Sequence, residues 1–560
     1  MKNFFTSIFR PIIYIFLGLS LVFACQKINP FEDVELTVNT DIYQAPILIH
    51  FLDANVDATK LPENISVSIS GPGKNLIFDD LGGKNYTAAG NVLSLVLDKD
   101  AKPTETNPVE FTVSVTAPGY VSTSQTISIT DPTKSLEFTV PLTNVAATPE
   151  GTAAKTETLS LTTGQTLTVP ATADKPEVAT ITIAPGTQVK DESGNVIPSN
   201  TVNAQIVQYG TGSEESLNSF PGSFTPENVT LQTGASTAGT FVSAGFVAID
   251  MEAGGKKVKS FTKPIDVNVG INTELFNPET DQKVKEGDQI PTWSFESSTG
   301  EWKEEGMATV VKGSDGKLSA TFKASHLSYW NIDWFYYLPR CRPSFALKVT
   351  SNLLTNVVSS NYYAKVYWAP ANSNNFQYVY QAYGFNAKNG ELNQYIGLYT
   401  PNGSRVRIDV YAYSNNAKIG TTGIFNPCAN TQTPITINAP TPPTPIVVDV
   451  DFTAKCQNKS VNIKPSAWVG LYDPSGRSYY ERYISGYMRS GKATIVVYEG
   501  REYTFGAYYG GKYYSGKVTF NKTGSKIVTS TGTGITGTTS YNTSTGRVQV
   551  VASYVTNDCK

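Results

Sequence analysis

Apolar and polar residues alternate in twos along most of this chain, and that alternation limits the fold more than any other feature. In ISVSIS (65–70) the apolar positions are Ile65, Val67 and Ile69. In FTVSVT (111–116) they are Phe111, Val113 and Val115, and in TISIT (126–130) Ile127 and Ile129, before LEFTVPL (136–142) closes the segment. A period of two puts one set of side chains on one face of an extended ribbon, so these segments read as strands with one face in a core. No long helical period and no heptad runs through the chain. Charged residues make up only 16%, while Thr, Ser, Gly, Val and Tyr, the residues of strands and turns, dominate. The pattern predicts an all-β fold. At roughly 150 residues per domain, the 560 residues accommodate a tandem array of β-sandwiches, which we place at four.

The first 24 residues stand outside that array. Lys2 and Arg10 precede the apolar stretch 12–24, which is shorter than the roughly 20 residues that span a bilayer but fits the core of a signal peptide. The run ends Leu21-Val22-Phe23-Ala24-Cys25, which resembles the lipobox of bacterial lipoproteins. That resemblance implies cleavage before Cys25, lipid on Cys25, and the membrane as a partner through two or more acyl chains, which anchor stably where one does not. Val at the usual Leu position and Phe23 depart from the pattern. Gln26-Lys27 followed by Glu32, Asp33 and Glu35 resembles a Bacteroidetes signal that sends lipoproteins to the outer face of the outer membrane, although the acids come late. We expect a signal peptide at 1–24 and a lipidated tether at 25–33.

Five cysteines cannot all pair within one chain. With Cys25 taken by lipid, Cys341, Cys428, Cys456 and Cys559 remain. Three pairings are possible. The stiff proline-rich stretch APTPPTPI (439–446) reads as a linker, and Cys341–Cys428 with Cys456–Cys559 keeps each bridge on one side of it. The competing arrangement joins Cys428 to Cys456 and Cys341 to Cys559. Loops of this length contribute about 4–5 kcal/mol each in the chain-entropy account. The cysteines are widely spaced with no CxxC, so no metal site is expected.

Residues 34–146 form the first domain. VTAPGYVSTSQTISI and its closing strand resemble the carboxypeptidase regulatory-like domain, a small transthyretin-type sandwich that is usually an accessory unit. Residues 147–340 form the second. Within it ETLSLTTGQTLTVPA reads as a hairpin, with Leu159 and Leu161 facing Leu167 and Val169. TWSFESSTGEWKEE reads as another, with Trp293 and Phe295 on one face and Trp302 after the turn. Pro291, Trp293, Phe295, Thr299, Gly300, Trp302, Glu304, Glu305, Gly306, His326, Tyr329, Trp330 and Asp333 together resemble a region of Bacteroidetes surface proteins and of cartilage intermediate layer protein-like ectodomains. That resemblance implies an extracellular, non-catalytic unit. The aromatic residues are expected chiefly as core, with Trp293 and Trp302 as the alternative of a binding platform. Residues 341–438 and 447–560 look like a diverged pair: AKVYW (364–368) parallels AWVGLY (467–472), and 405–425 parallels 502–520. The last again resembles a transthyretin-like sandwich. Its Tyr509 and Tyr513 are candidates for stacking on a ligand, although tyrosines on strands more often bury their rings.

Chemistry is hard to find. The two histidines, His50 and His326, offer no HExxH, and no GxSxG elbow occurs. GYMRSGKA (486–493) misses a P-loop because Ala493 replaces Ser or Thr and a strand follows. Turns such as DLGGKN, KDESGN, GSDGK and DPSGR carry one or two acids, fewer than calcium prefers. The net charge is −3 with no basic block, so nucleic acid is not an expected partner. We expect no catalytic residues and no cofactor. The expected role is non-catalytic binding, adhesion or structural display, with a carbohydrate or protein as ligand. The alternative is a glycan-binding accessory lipoprotein of a nutrient-uptake system.

Overall fold

The computed structural model describes residues 36–337 except residue 105, and residues 340–556 with gaps that include 342–346, 352–361, 383–390, 393–399, 438–444 and 474–482. The described chain is nearly all strand, with one short α-helix, Glu214–Asn218, and two 3-10 turns. Residues 1–35 lie outside it, so the signal peptide, Cys25 and the tether do too.

One strand topology occurs three times. In the first unit the opening strand Gln44–Asp53 pairs parallel with the closing strand Leu136–Leu142 and antiparallel with Val92–Leu97. A second sheet holds Ser66–Ser70, Val109–Thr116 and Thr123–Ile129. The inward faces meet in a core that includes Ile49, Phe51, Leu95, Phe111, Val113, Ile127 and Val140, the positions that alternate in the sequence. In the third unit Leu347–Ser351 pairs parallel with Thr433–Ile437, and Tyr362–Ala369 pairs with Arg405–Ala412, which pairs with Lys418–Thr421. In the last unit Pro445–Cys456 pairs parallel with Arg547–Thr556, and Ala467–Tyr472 pairs with Glu502–Tyr509, which pairs with Lys512–Thr519. The repeated segments AKVYW and AWVGLY therefore occupy the same strand of two like units. The proline-rich stretch 439–446 ends inside the opening strand, with Pro445 as its first residue, a position where a missing N–H does little harm.

The second unit is different. Its main sheet runs Gln165–Val169, Ala179–Ile183, Ser260–Ile271, Leu318–His326, Glu301–Lys312, Gln289–Glu296, Tyr329–Tyr336, Thr240–Ala253, Thr201–Tyr209, Thr152–Ser160. The tryptophan-rich hairpin forms as read: Phe295 stands opposite Trp302 and Glu296 opposite Glu301. The leucine hairpin does not. Thr152–Ser160 pairs with Thr201–Tyr209, and Gln165–Val169 with Ala179–Ile183. Leu159, Leu161, Leu167 and Val169 all reach the same core, but from strands at opposite ends of the sheet. The turn at Gly164 is packed closely against the following strand. Its φ is +71°, and a Cβ there would lie 2.7 Å from the Ile183 carbonyl oxygen. The strands on either side of the turn stay close, with the Ser160 N–H donating to Gln165 Oε1 at 3.1 Å, but they form no ladder with each other.

The units are interlocked. The strand Leu36–Asn39, expected in the first unit, pairs parallel with Val461–Lys464 of the last. Beside it His50 Nε2 donates to Glu137 at 2.6 Å, Ser485 Oγ donates to the other oxygen of Glu137 at 2.6 Å, and Trp468 packs on Leu48 and Val92. Ser114 Oγ donates to the Ser298 carbonyl at 3.0 Å, joining the first unit to the aromatic hairpin. Glu214 of the second unit receives Lys365 and the Tyr367 hydroxyl of the third.

Candidate functional site

The aromatic hairpin is the best-defined polar and aromatic cluster. Trp293 and Trp302 are 2% and 1% exposed. They belong to a continuous ring stack: Phe295 lies 4.8 Å from Trp302, Phe241 4.6 Å from Trp302, and Phe335 5.1 Å from Trp293. Trp293 Nε1 donates to the Asp333 carbonyl at 2.8 Å. These rings present no face to solvent, which favours their expected role as core over a platform at Trp293 and Trp302. Cross-strand aromatic partners bury each other here on the inward face of the hairpin. Trp330 is also buried, against Phe322 and His326.

A β-bulge turns this hairpin outward at one point. Thr292 pairs with Gly306 and Trp293 with Glu304, leaving Glu305 as the extra residue. Such a bulge re-aims the side chain at that position. Glu305 Oε1 accepts from Ser294 Oγ at 2.9 Å, Lys303 Nζ at 2.9 Å and His326 Nε2 at 3.2 Å. Burial alone would raise this carboxyl, but the donors outweigh it and hold it down to about 2. A carboxylate so fully engaged is a poor base and a good lock.

A second polar group lies inside the same core. Asp333 and Ser243 face each other across paired strands, and Asn331 Nδ2 donates to Asp333 Oδ2 at 3.1 Å. Burial pushes the Asp333 carboxyl up to about 8, against donors at Ser243, Asn331 and the Ala244 N–H. At neutral pH it is mostly a neutral acid. Sequence reading caught Asp333 only as part of a resemblance and missed Asn331 and Ser243. The available signal was two polar residues spaced by two within YWNIDWFY, an otherwise apolar strand.

The remaining expected residues fall as follows. Cys25 and Cys559 lie outside the described residues. Cys341 ends the strand Arg340–Cys341, its side chain also outside. Cys428 sits in the turn Pro427–Ala429 and Cys456 ends the strand Pro445–Cys456, and both are disulfide-bonded. Tyr509 and Tyr513 lie on paired strands, but their side chains are outside the described residues. The turn acids accept backbone N–H groups: Asp191 from Ser193 and Asn195, and Asp79 from Leu81 and Gly83. Among the described residues no three His, Cys, Asp or Glu side chains gather as a metal centre would.

A concave surface of about 500 Å³ lies on the last unit, lined by Asp449, Asp451, Tyr487, Arg489, Lys492, Thr494 and Gln549 among others. Arg547 makes a two-pronged contact with Asp449, 2.6 Å at each oxygen, and the Arg489 guanidinium lies 5.1 Å from the Tyr487 ring.

Residues 182–333 match the family described as FAM171A1/A2/B, N-terminal, a span that ends on Asp333 and holds the aromatic cluster except Phe335. No curated protein matches the chain. Among solved structures, the major pilin subunit BcpA of Bacillus cereus is 10% identical over 91% of this chain and 99% of its own, with a TM-score of 0.12. The Bacillus anthracis TIE protein is 9% identical over 90% of this chain and 76% of its own, with a TM-score of 0.13. Scores at that level carry no structural argument, and the family match, which spans well under half of the chain, is a likeness of the second unit alone.

Proposed function

We propose that this chain is a non-catalytic surface protein, held to the outer membrane by lipid on Cys25, that serves in adhesion or structural display. One observation carries the reading: the chemically richest passage is turned inward. Trp293, Trp302 and Trp330 are core, and Glu305 is consumed by Ser294, Lys303 and His326. Residues of those types could serve catalysis if they faced a cleft, but here they stiffen a scaffold. The likeness of 182–333 to a cell-surface ectodomain family supports the same reading. The test is cell fractionation and adhesion assay of wild type against Cys25→Ala. Wild type should label with lipid and pellet with membranes, and the variant should be released. A wild-type chain that carries no lipid and stays in the soluble fraction refutes the anchor.

The concavity on the last unit favours a second reading, glycan capture for a nutrient-uptake system. Its carboxylates, amide and tyrosine ring are the groups that hydrogen-bond and stack on sugars. A glycan array on the soluble chain, repeated with Tyr487→Ala, separates the two. Binding that the substitution abolishes selects glycan capture, and silence across the array selects display or protein adhesion.

A further inference from the structure

The two ends of the second unit's main sheet leave a seam. The consecutive strands Thr152–Ser160 and Gln165–Val169 pair away from one another, so no backbone ladder closes the gap between them. The loop 170–178 lies at this seam. Much of it is exposed, but Lys175 is 1% exposed and Glu177 6%. Lys175 Nζ donates to the carbonyls of Glu177 at 2.5 Å and Pro170 at 3.5 Å, and to Gln208 Oε1 at 2.9 Å. All three acceptors are uncharged. The adjacent carboxylate, Asp174, accepts from the Gly151 N–H and the Thr172 hydroxyl, each at 2.7 Å. Burial lowers the Lys175 amine to about 8, against the nearby negative charge of Glu177 and Asp174.

Gln208 is fully buried on Thr201–Tyr209, and its Nε2 has no acceptor among the described residues. An amine and a carboxamide thus meet in a buried site, the amine with no carboxylate bonded to it and the amide nitrogen with no acceptor among the described residues. Each condition is costly alone. The Glu177 carboxylate flanks the Lys175 side chain: a Cβ placed on Gly210 would lie 3.2 Å from both Glu177 Oε2 and Lys175 Cγ.

We propose that Lys175 and Gln208 condense into an intramolecular amide, with Glu177 as the proton carrier. The Lys175 Nζ lone pair attacks Gln208 Cδ and forms the new C–N bond. The Cδ–Nε2 bond breaks, and the departing nitrogen leaves as ammonia. Glu177 takes the proton that Nζ sheds and returns it to the leaving group. No oxidant, metal or co-substrate is needed. The product removes the buried charge and the orphaned amide donors together. It also ties the loop at one end of the sheet to a strand at the other, so the seam closes covalently.

The test is mass spectrometry of the folded full chain, intact and after digestion. A cross-linked peptide pair containing Lys175 and Gln208, lighter by one ammonia than its two parts, is the expected result. Lys175→Met should restore the uncondensed mass, and Glu177→Gln should leave most chains uncondensed. Recovery of the two wild-type peptides separately and at unmodified mass overturns the proposal, whether or not either variant folds. Full condensation in Glu177→Gln overturns the role given to Glu177.

Discussion

His326 Nε2 donates to Glu305 at 3.2 Å, and it reaches that carboxylate because Glu305 is the extra residue of a bulge. The contact ties the strand Leu318–His326 to the hairpin at a point where the ladder is broken. The lowered Glu305 carboxyl makes the tie pH-dependent. A carboxyl depressed by folding contributes stability above its ordinary pKa and loses it as pH falls through the folded value. Stability should therefore decline between about pH 4.5 and about pH 2. Glu305→Gln should cost about 1 kcal/mol near neutral pH and flatten that acid limb. Denaturant midpoints across the acid range check this, and parallel acid limbs in the two proteins would remove Glu305 as the cause.

Trp302 lies at the centre of the ring stack, within contact of Phe220, Phe241 and Phe295. Trp302→Ala leaves a cavity that rigid neighbouring strands cannot fill, at a cost of about 3–5 kcal/mol. Thermal and urea unfolding of the purified chain measure it. A variant as stable as wild type that had lost ligand binding would return this residue to a binding role.

Asp333 should give the opposite pH dependence to Glu305. Its carboxyl is raised to about 8 when folded. The folded chain therefore keeps a proton that the unfolded chain has released. That contribution is complete below the unfolded value and is lost as pH rises through about 8, at about 1.4 kcal/mol per pH unit. Asp333→Asn holds a neutral amide in the same place. It should flatten the slope and be the more stable protein at mildly alkaline pH. Urea titrations at several pH values test this, and an unchanged slope in the variant would show that Asp333 is not the titrating group.

Alternation made Ile65, Phe111 and Ile127 legible as inward residues, and the turn of TWSFESSTGEWKEE made its hairpin legible. Partner choice was not. LTVN at 36–39 looks like any short strand, and nothing local says that it pairs with residues more than four hundred positions away. Leu159 and Leu167 gave the right face and the wrong neighbour, because period reports burial and not pairing. The site was half legible for the same reason. Glu305 and His326 stood out by residue type, whereas the bulge that joins them depends on the register of two strands.

The cysteine pairing is the last expectation, and the repeated topology now supplies a physical reason for it. In the third unit the parallel pair Leu347–Ser351 and Thr433–Ile437 begins with Leu347 opposite Thr433. Cys341 lies six positions before Leu347 and Cys428 five before Thr433. In the last unit the parallel pair ends with Cys456 opposite Thr556, and Cys559 follows three positions later. In the last unit the proposed bridge thus sits at the end of the parallel pair, whereas in the third Cys341 lies on the separate strand Arg340–Cys341, paired with Thr400–Pro401, and Cys428 in the turn Pro427–Ala429 before the closing strand. Neighbouring strands lie about 4.8 Å apart, within the Cα separation that a disulfide accepts. Cys428 and Cys456, the competing pair, lie in different units. Cleavage between the units, followed by peptide mapping without reductant, decides the matter. Two fragments that separate in denaturant without reductant, each carrying one bridge, are expected, and fragments that stay joined in denaturant until reduced would refute this pairing.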